Sequence, residues 1–164
     1  MNGITFVASA NNQSNANCDT TPARMGYGNL AYDFHVITVG GSNEQDQLWV
    51  RSPDELVPGC TGACVDTGSN FGYCVDIYAP AHNLQHLANI SANNAYRTVI
   101  SQLSGTSFAA PVVAGIAARL LERNPTWTPL QVWQYIRDTA NHPGCFDTTV
   151  SPCNDRLVYI SPFD

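Results

Sequence analysis

Lysine is absent from this chain of 164 residues, and all seven of its basic residues are arginine. Without lysine, the chain cannot form a Walker phosphate-binding loop, a pyridoxal Schiff base or a serine–lysine dyad. The arginines are scattered and the net charge is −6, so no basic stripe is available to neutralise phosphates. We therefore expect no nucleic-acid partner.

Long apolar runs are also absent, although 44 % of the residues are apolar. No run approaches the roughly 18 residues that a membrane-spanning helix needs, so we expect no membrane interaction. Residues 4–10 lack the positive flank and the length of a signal peptide. Their continuous apolar character is typical of a strand that is covered on both faces in a parallel sheet.

The six cysteines allow many pairings, and the sequence alone does not choose among them. Cys60 and Cys64 resemble half of a zinc site, but no second half of matching spacing follows. An even cysteine count in an acidic chain favours disulfides over metal or free thiols, and so a secreted or extracytoplasmic location. The cysteines are Cys18, Cys60, Cys64, Cys74, Cys145 and Cys153.

Strands come before helices along the chain, which indicates an α/β domain with a mainly parallel sheet. Loop-forming residues dominate 11–33 and 41–72. Helical periodicity begins at Thr106, and Thr128 followed by Pro129 predicts the start of a second helix. The predicted strands are 4–10, 34–40, 73–78 and 96–103, the last as a strand or hairpin arm, and the predicted helices are 106–123 and 128–139.

A serine hydroxyl is expected at the positive end of the first, buried helix. Ser107 lies near the predicted start of this helix, and Gly105 allows a substrate backbone to approach closely. The local field there favours developing negative charge, as an acyl-transfer reaction requires. The alternative is that Ser107 or Thr106 simply caps the helix.

The longer pattern around this serine resembles the nucleophile signature of the subtilisin-like serine proteases, the subtilases. Residues 105–115 read GTSFAAPVVAG. The resemblance is to the proteinase K and aqualysin branch, and it covers most of residues 1–164. It implies that the chain is the C-terminal portion of a peptidase domain, in which residues 48–68 are an apparent insertion. The matching segments are 3–13, 21–24, 36–40, 69–72, 74–80 and 154–159.

The resemblance assigns a role to each matching site residue. It implies that Ser107 is the nucleophile that attacks a peptide bond of a peptide or protein substrate. It implies that the Asn12 amide and the Ser107 backbone N–H stabilise the resulting oxyanion. Ser9, Ala10 and Asn11 would line one wall of the primary specificity pocket. Asn11 stands where the family has glycine, and asparagine accepts a positive φ better than most residues.

The resemblance also implies structural features. Asp76 aligns with a carboxylate that binds structural calcium in proteinase K, and a carboxylate suits that cation. The alternative for a lone aspartate at a strand end is a hydrogen bond to a loop. The resemblance implies that the reaction requires no cofactor. Cys18 and Cys74 lie where the aqualysin branch has a disulfide, which leaves Cys60 with Cys64 and Cys145 with Cys153.

The catalytic aspartate and histidine of the family have no counterpart here. In subtilases both precede the oxyanion asparagine, and this chain starts almost at Asn12. We expect none of the chain's histidines to be the base; these are His35, His82, His86 and His142. The sequence therefore predicts the serine-bearing half of a secreted endopeptidase, inactive without a partner half that carries Asp and His. The alternative is a non-catalytic truncated homologue or binding module, with an exposed sheet edge.

Overall fold

The computed structural model describes residues 3–16, 21–25, 36–51, 67–89, 98–144 and 155–159. Five strands and two α-helices follow one another in that part of the chain, with one short 3-10 helix at Ala23–Met25. The strands are β1 (Phe6–Ser9), β2 (Val36–Ser42), β3 (Ile77–Pro80), β4 (Leu84–Asn89) and β5 (Thr98–Leu103), and the helices are α1 (Thr106–Arg123) and α2 (Pro129–Asp138).

Three strands form a parallel sheet in the order β1-β2-β3. Phe6 lies opposite Val36, and Val39 lies opposite Ile77. All seven residues of β2 are buried, as expected for a central strand that is covered on both faces. The predicted α/β class with a mainly parallel sheet is therefore confirmed.

Two strand predictions differ from the structure. β3 begins at Ile77 rather than at 73, because the Val75 N–H donates to the Gly72 carbonyl in a turn. β4 occupies residues for which no strand was predicted, and it pairs antiparallel with β5, with Leu84 opposite Leu103. The segment LQHLAN has no β-branched residue, so pairing with β5 outweighs its weak local preference.

Both helices match their predictions closely. α1 spans 106–123, and α2 begins directly after Thr128, whose hydroxyl accepts a hydrogen bond from the Gln131 N–H at 3.3 Å. The Gln131 side chain accepts in return from the Thr128 N–H at 2.8 Å, which completes a capping box. No helix in the described ranges is long and apolar enough to cross a membrane. The core between sheet and helices includes Ile37, Val39, Ile77, Ala109, Val113, Leu120, Val132 and Ile136.

Several predictions concern residues outside the described ranges. Cys74 takes part in a disulfide, and its partner lies outside those ranges, so pairing with Cys18 stays a prediction. Cys60, Cys64, Cys145 and Cys153 also lie outside them. The same holds for most of the apparent insertion at 48–68, although Trp49 within it is fully buried.

Candidate active site

Ser107 is the second residue of α1. This helix follows the strand β5 after a two-residue turn. It is exposed. The first amides of a helix have no partner within the helix, and the helix end favours negative charge. Among the described residues, neither the Ser107 hydroxyl nor its backbone N–H has a hydrogen-bond partner. Both groups are therefore available to a bound substrate.

The side-chain amide of Asn12 is held in one orientation. Its Oδ1 accepts hydrogen bonds from the Thr106 N–H at 3.0 Å and from the Thr106 hydroxyl at 2.8 Å. Because two donors fix the oxygen, the Nδ2 group is left on the other side of the amide. Within the part of the chain that the structure describes, Nδ2 has no acceptor. It is a donor ready for an anion.

Gly105 keeps space open beside this donor. Its φ is +154°, a conformation that side chains rarely adopt, and a Cβ here would lie 3.5 Å from Asn12 Nδ2. That Cβ would also lie 3.7 Å from the Phe108 ring. Both distances are ordinary van der Waals contacts, so it is the backbone conformation of the turn into α1 that favours glycine at 105.

The loop that carries Asn12 is anchored by the buried side chain of Asn70. The Asn70 Oδ1 accepts from the Gln13 N–H at 2.9 Å, and the Asn70 N–H donates to the Asn11 carbonyl at 2.9 Å. Asn70 lies in the segment 69–72, which resembles a family motif but implies no role for this residue. A polar residue that is only 2 % exposed must have hydrogen-bond partners, and here those partners belong to the loop that carries Asn12.

Ser9, Ala10 and Asn11 lie directly before Asn12. The Ala10 N–H donates to the Val39 carbonyl at 2.8 Å, and Ala10 is fully buried. Asn11 has a φ of +85°, as predicted for the residue that replaces glycine. Its Oδ1 accepts from the Asn12 N–H at 3.0 Å, which further fixes the loop. Their place in the wall of a specificity pocket stays a prediction.

Asp76 lies between the sheet and α2. Its Oδ2 accepts from the Thr38 N–H at 2.8 Å, and its Oδ1 accepts from Trp133 Nε1 at 3.0 Å. Burial raises the pKa of the Asp76 carboxyl, against the effect of these hydrogen bonds and of the charges of Arg137 and Arg156.

A calcium ion at Asp76 would have to compete with these contacts. Calcium takes about six to eight oxygen ligands, whereas here N–H donors contact both carboxylate oxygens and two arginines act on the carboxylate. The described ranges hold no cluster of three or more His, Cys, Asp or Glu side chains for a metal. The contacts favour the alternative of a hydrogen-bonded aspartate, and calcium binding at Asp76 stays an untested prediction.

Trp133→Phe is expected to destabilise the fold. The substitution removes one donor from the buried Asp76 carboxylate, and it disturbs the stacking of Arg137 on the Trp133 ring, whose centroid lies 4.2 Å away. We expect the free energy of unfolding, measured by urea denaturation, to fall by about 1–3 kcal/mol. Trp127→Phe is the control, because the Trp127 ring packs against Tyr135 and its indole N–H has no hydrogen bond among the described residues, whereas its backbone N–H keeps its bond to the Asn124 carbonyl. An equal loss in both variants would contradict this account of Asp76.

Two histidines pair with carboxylates. His82 Nδ1 lies 2.6 Å from Glu44 Oε2, and His142 Nδ1 lies 2.8 Å from Asp155 Oδ1. Neither imidazole is hydrogen-bonded to Ser107. His86 lies in β4, and His35 lies outside the described ranges. The structure thus does not bring the His82 or the His142 imidazole to Ser107 as a general base.

Glu44 makes the stability of the fold sensitive to acid. The hydrogen bond to His82, followed by bonds to the Glu44 backbone and to Asn83, lowers the pKa of Glu44 to about 2. A carboxyl whose pKa is lower in the folded chain stabilises the fold above its ordinary pKa, and loses that effect as pH falls through the folded value. We expect the denaturation midpoint to fall more steeply towards pH 2 in the wild type than in Glu44→Gln. Parallel pH profiles would contradict this.

The fold is that of a subtilisin-like domain. The chain superposes with a TM-score of 0.61 on the crystal structure of a cold adapted subtilisin-like serine proteinase, at 28 % sequence identity. The match covers 96 % of this chain and 45 % of that chain. The model of the subtilase family matches residues 1–155. The chain therefore belongs to the subtilase family.

Two curated relatives have similar sequences. The chain is 37 % identical over 134 residues to proprotein convertase subtilisin/kexin type 9 of Mus musculus. This match covers 82 % of this chain and 16 % of that protein. It is 31 % identical over 159 residues to alkaline serine exoprotease A of Vibrio alginolyticus, and this match covers 97 % of this chain and 23 % of that protein. The chain thus spans less than a quarter of the length of either relative.

Proposed function

We propose that this chain supplies the nucleophile and the oxyanion donors of a serine-type endopeptidase. The observation that carries the proposal is that the described residues leave the Ser107 hydroxyl, the Ser107 N–H and Asn12 Nδ2 without partners around the N-terminus of α1. Preorganised N–H donors of this kind stabilise the tetrahedral intermediate of acyl transfer.

The proposed reaction follows from these groups. Ser107 Oγ attacks the scissile carbonyl of a peptide and passes its proton to a general base. The Asn12 Nδ2 group and the Ser107 N–H donate to the oxyanion that forms. The peptide bond then breaks, the leaving amine takes the proton from the base, and Ser107 is left as an ester. Water hydrolyses this acyl-enzyme and restores the serine.

We propose that the general base comes from another segment, since neither the His82 nor the His142 imidazole is hydrogen-bonded to Ser107. We infer a subtilase segment that carries the aspartate and the histidine. Uncovered apolar surface supports this inference: Ile4 beside β1 is 74 % exposed, and Val112 on α1 is 38 % exposed. A Cβ placed at Gly115 would meet nothing within 4 Å. Such a segment would cover this surface and complete the site.

The branch and the location are finer parts of the same proposal. The segment Thr21-Pro22-Ala23-Arg24 is similar to one in the proteinase K and aqualysin branch, and we place the chain in that branch. The disulfide at Cys74 supports an oxidising environment, and so a secreted or extracytoplasmic protein.

The test is a chimera in which this chain replaces the matching region of the Vibrio exoprotease. We expect the purified chimera to hydrolyse a chromogenic peptide, and the chain alone to be inactive. A folded chimera without activity would contradict the proposal and would favour the non-catalytic module. Hydrolysis by the chain alone would show that the base lies within it.

A further inference from the structure

We propose that Glu44 is a positioning residue for the nucleophile, because it fixes the turn on which the segment before Ser107 rests. This turn comprises Ala81, His82 and Asn83, directly after β3. The inference rests on the proposed function for its effect on catalysis. Its structural part concerns the hydrogen bonds of the chain itself.

Glu44 contacts this turn with both carboxylate oxygens. Its Oε1 accepts from Asn83 Nδ2 at 2.9 Å, and its Oε2 lies 2.6 Å from His82 Nδ1. Glu44 follows the end of β2, so the carboxylate joins the turns after two neighbouring strands. Asn83 has a φ of +50°, a conformation that asparagine accepts better than most residues. The carboxylate therefore restrains both side chains of a tight turn.

The turn at residues 81–83 also restrains Ser104 and Gly105, the two residues before α1. The Asn83 N–H donates to the Ser104 hydroxyl at 3.2 Å, and the Gly105 N–H donates to the Ala81 carbonyl at 2.7 Å. The Ala81 N–H donates to the Ser42 carbonyl at 2.9 Å, which ties the turn to the end of β2. The position of Gly105 thus depends on a turn that Glu44 holds.

Gly105 is directly followed by the groups that form the site. Thr106 orients Asn12 through two hydrogen bonds, and Ser107 is the next residue. A displacement of about 1 Å in the reacting groups can cost about a hundredfold in rate. Glu44 itself makes no contact with Ser107 among the described residues, so its loss should lower the turnover number and leave substrate affinity largely unchanged.

Two variants separate positioning from charge. Glu44→Ala removes both contacts. Glu44→Gln keeps the size of the side chain: its amide oxygen can accept from Asn83 Nδ2, and its amide nitrogen can donate to His82 Nδ1. Gln45→Ala is the matched control, because Gln45 is exposed next to Glu44 after β2 and, among the described residues, only its backbone N–H is hydrogen-bonded, to Asn43 Oδ1.

The first measurement is amide hydrogen exchange at Gly105 in the chain itself, followed by NMR. We expect Glu44→Ala to speed exchange about tenfold or more, because the bond to the Ala81 carbonyl opens more often. Glu44→Gln should keep most of the protection, and Gln45→Ala all of it. Unchanged protection of Gly105 in Glu44→Ala would overturn the proposal, whatever the activity of the protein.

The second measurement is peptide hydrolysis by the chimera. Glu44→Ala should lower kcat about tenfold at nearly constant KM, and Glu44→Gln should restore most of kcat. An equal kcat in Glu44→Ala and Gln45→Ala would overturn the effect on catalysis. A wild-type chimera without activity would instead contradict the proposed function, and the exchange measurement would still decide the role of Glu44.

Discussion

Replacing Ser107 by alanine is expected to lower kcat of the chimera about a million-fold, the scale found when the nucleophile of subtilisin is removed. The expected loss is this large because no acyl-enzyme can form without the hydroxyl, and the base then has no proton to take. KM should change little, since substrate binding depends on the rest of the cleft. The measurement is steady-state hydrolysis of a chromogenic peptide.

The stability of the Ser107→Ala variant is the control. Ser107 is exposed, and its side chain makes no hydrogen bond in the described ranges, so the melting temperature should match that of the wild type. Retention of more than a small fraction of activity in a folded Ser107→Ala variant would show that the nucleophile is another residue.

Asn12→Asp is expected to give the second largest loss, with kcat lower by about a hundredfold to a thousandfold. The aspartate keeps an oxygen that accepts from the Thr106 N–H and hydroxyl, which lie 3.0 Å and 2.8 Å from the present Oδ1. It lacks the Nδ2 donor, and its negative charge opposes an oxyanion. The loss should therefore fall on the chemical step, as kcat would report, while the fold remains stable.

Asn12→Ala separates the two roles of this side chain. It removes the donor to the oxyanion and also the acceptor for Thr106, which is fully buried. Leaving those donors unpaired should cost about 1–3 kcal/mol of stability in addition to the loss of kcat. Urea denaturation of both variants distinguishes these effects. Full activity in a folded Asn12→Asp variant would exclude Asn12 as the oxyanion donor.

The helices could be predicted from the sequence because their signals are local. The start of α2 is determined by two features that lie within a few residues of each other. These are the capping box at Thr128 and the proline at the first helical position, Pro129. The start of β3 and the whole of β4 differ from the prediction, because a turn between Gly72 and Val75 delays β3 and the pairing of β4 depends on a distant strand. Asp76 contacts Thr38, and β4 is a strand because it pairs with β5.

The site shows the same division. The motif around Ser107 indicates the candidate nucleophile, and the replacement of glycine by Asn11 predicts its positive φ, which is observed. The contact that orients Asn12 joins residues 94 apart in sequence. Asn70 reaches the Gln13 backbone across 57 residues, and Glu44 reaches His82 across 38. No local sequence pattern indicates which of these polar residues are in contact, so the contacts can be identified only in the folded chain.

The most direct test of the central claim is covalent labelling with a fluorophosphonate probe, with the modified residue identified by mass spectrometry. Such a probe reacts with a serine whose hydroxyl a base has activated. We predict rapid labelling of Ser107 in the chimera, no labelling of the Ser107→Ala chimera, and no labelling of the chain alone. Labelling of the chimera at a residue other than Ser107, or no labelling of a folded chimera, would contradict the assignment of Ser107 as the nucleophile.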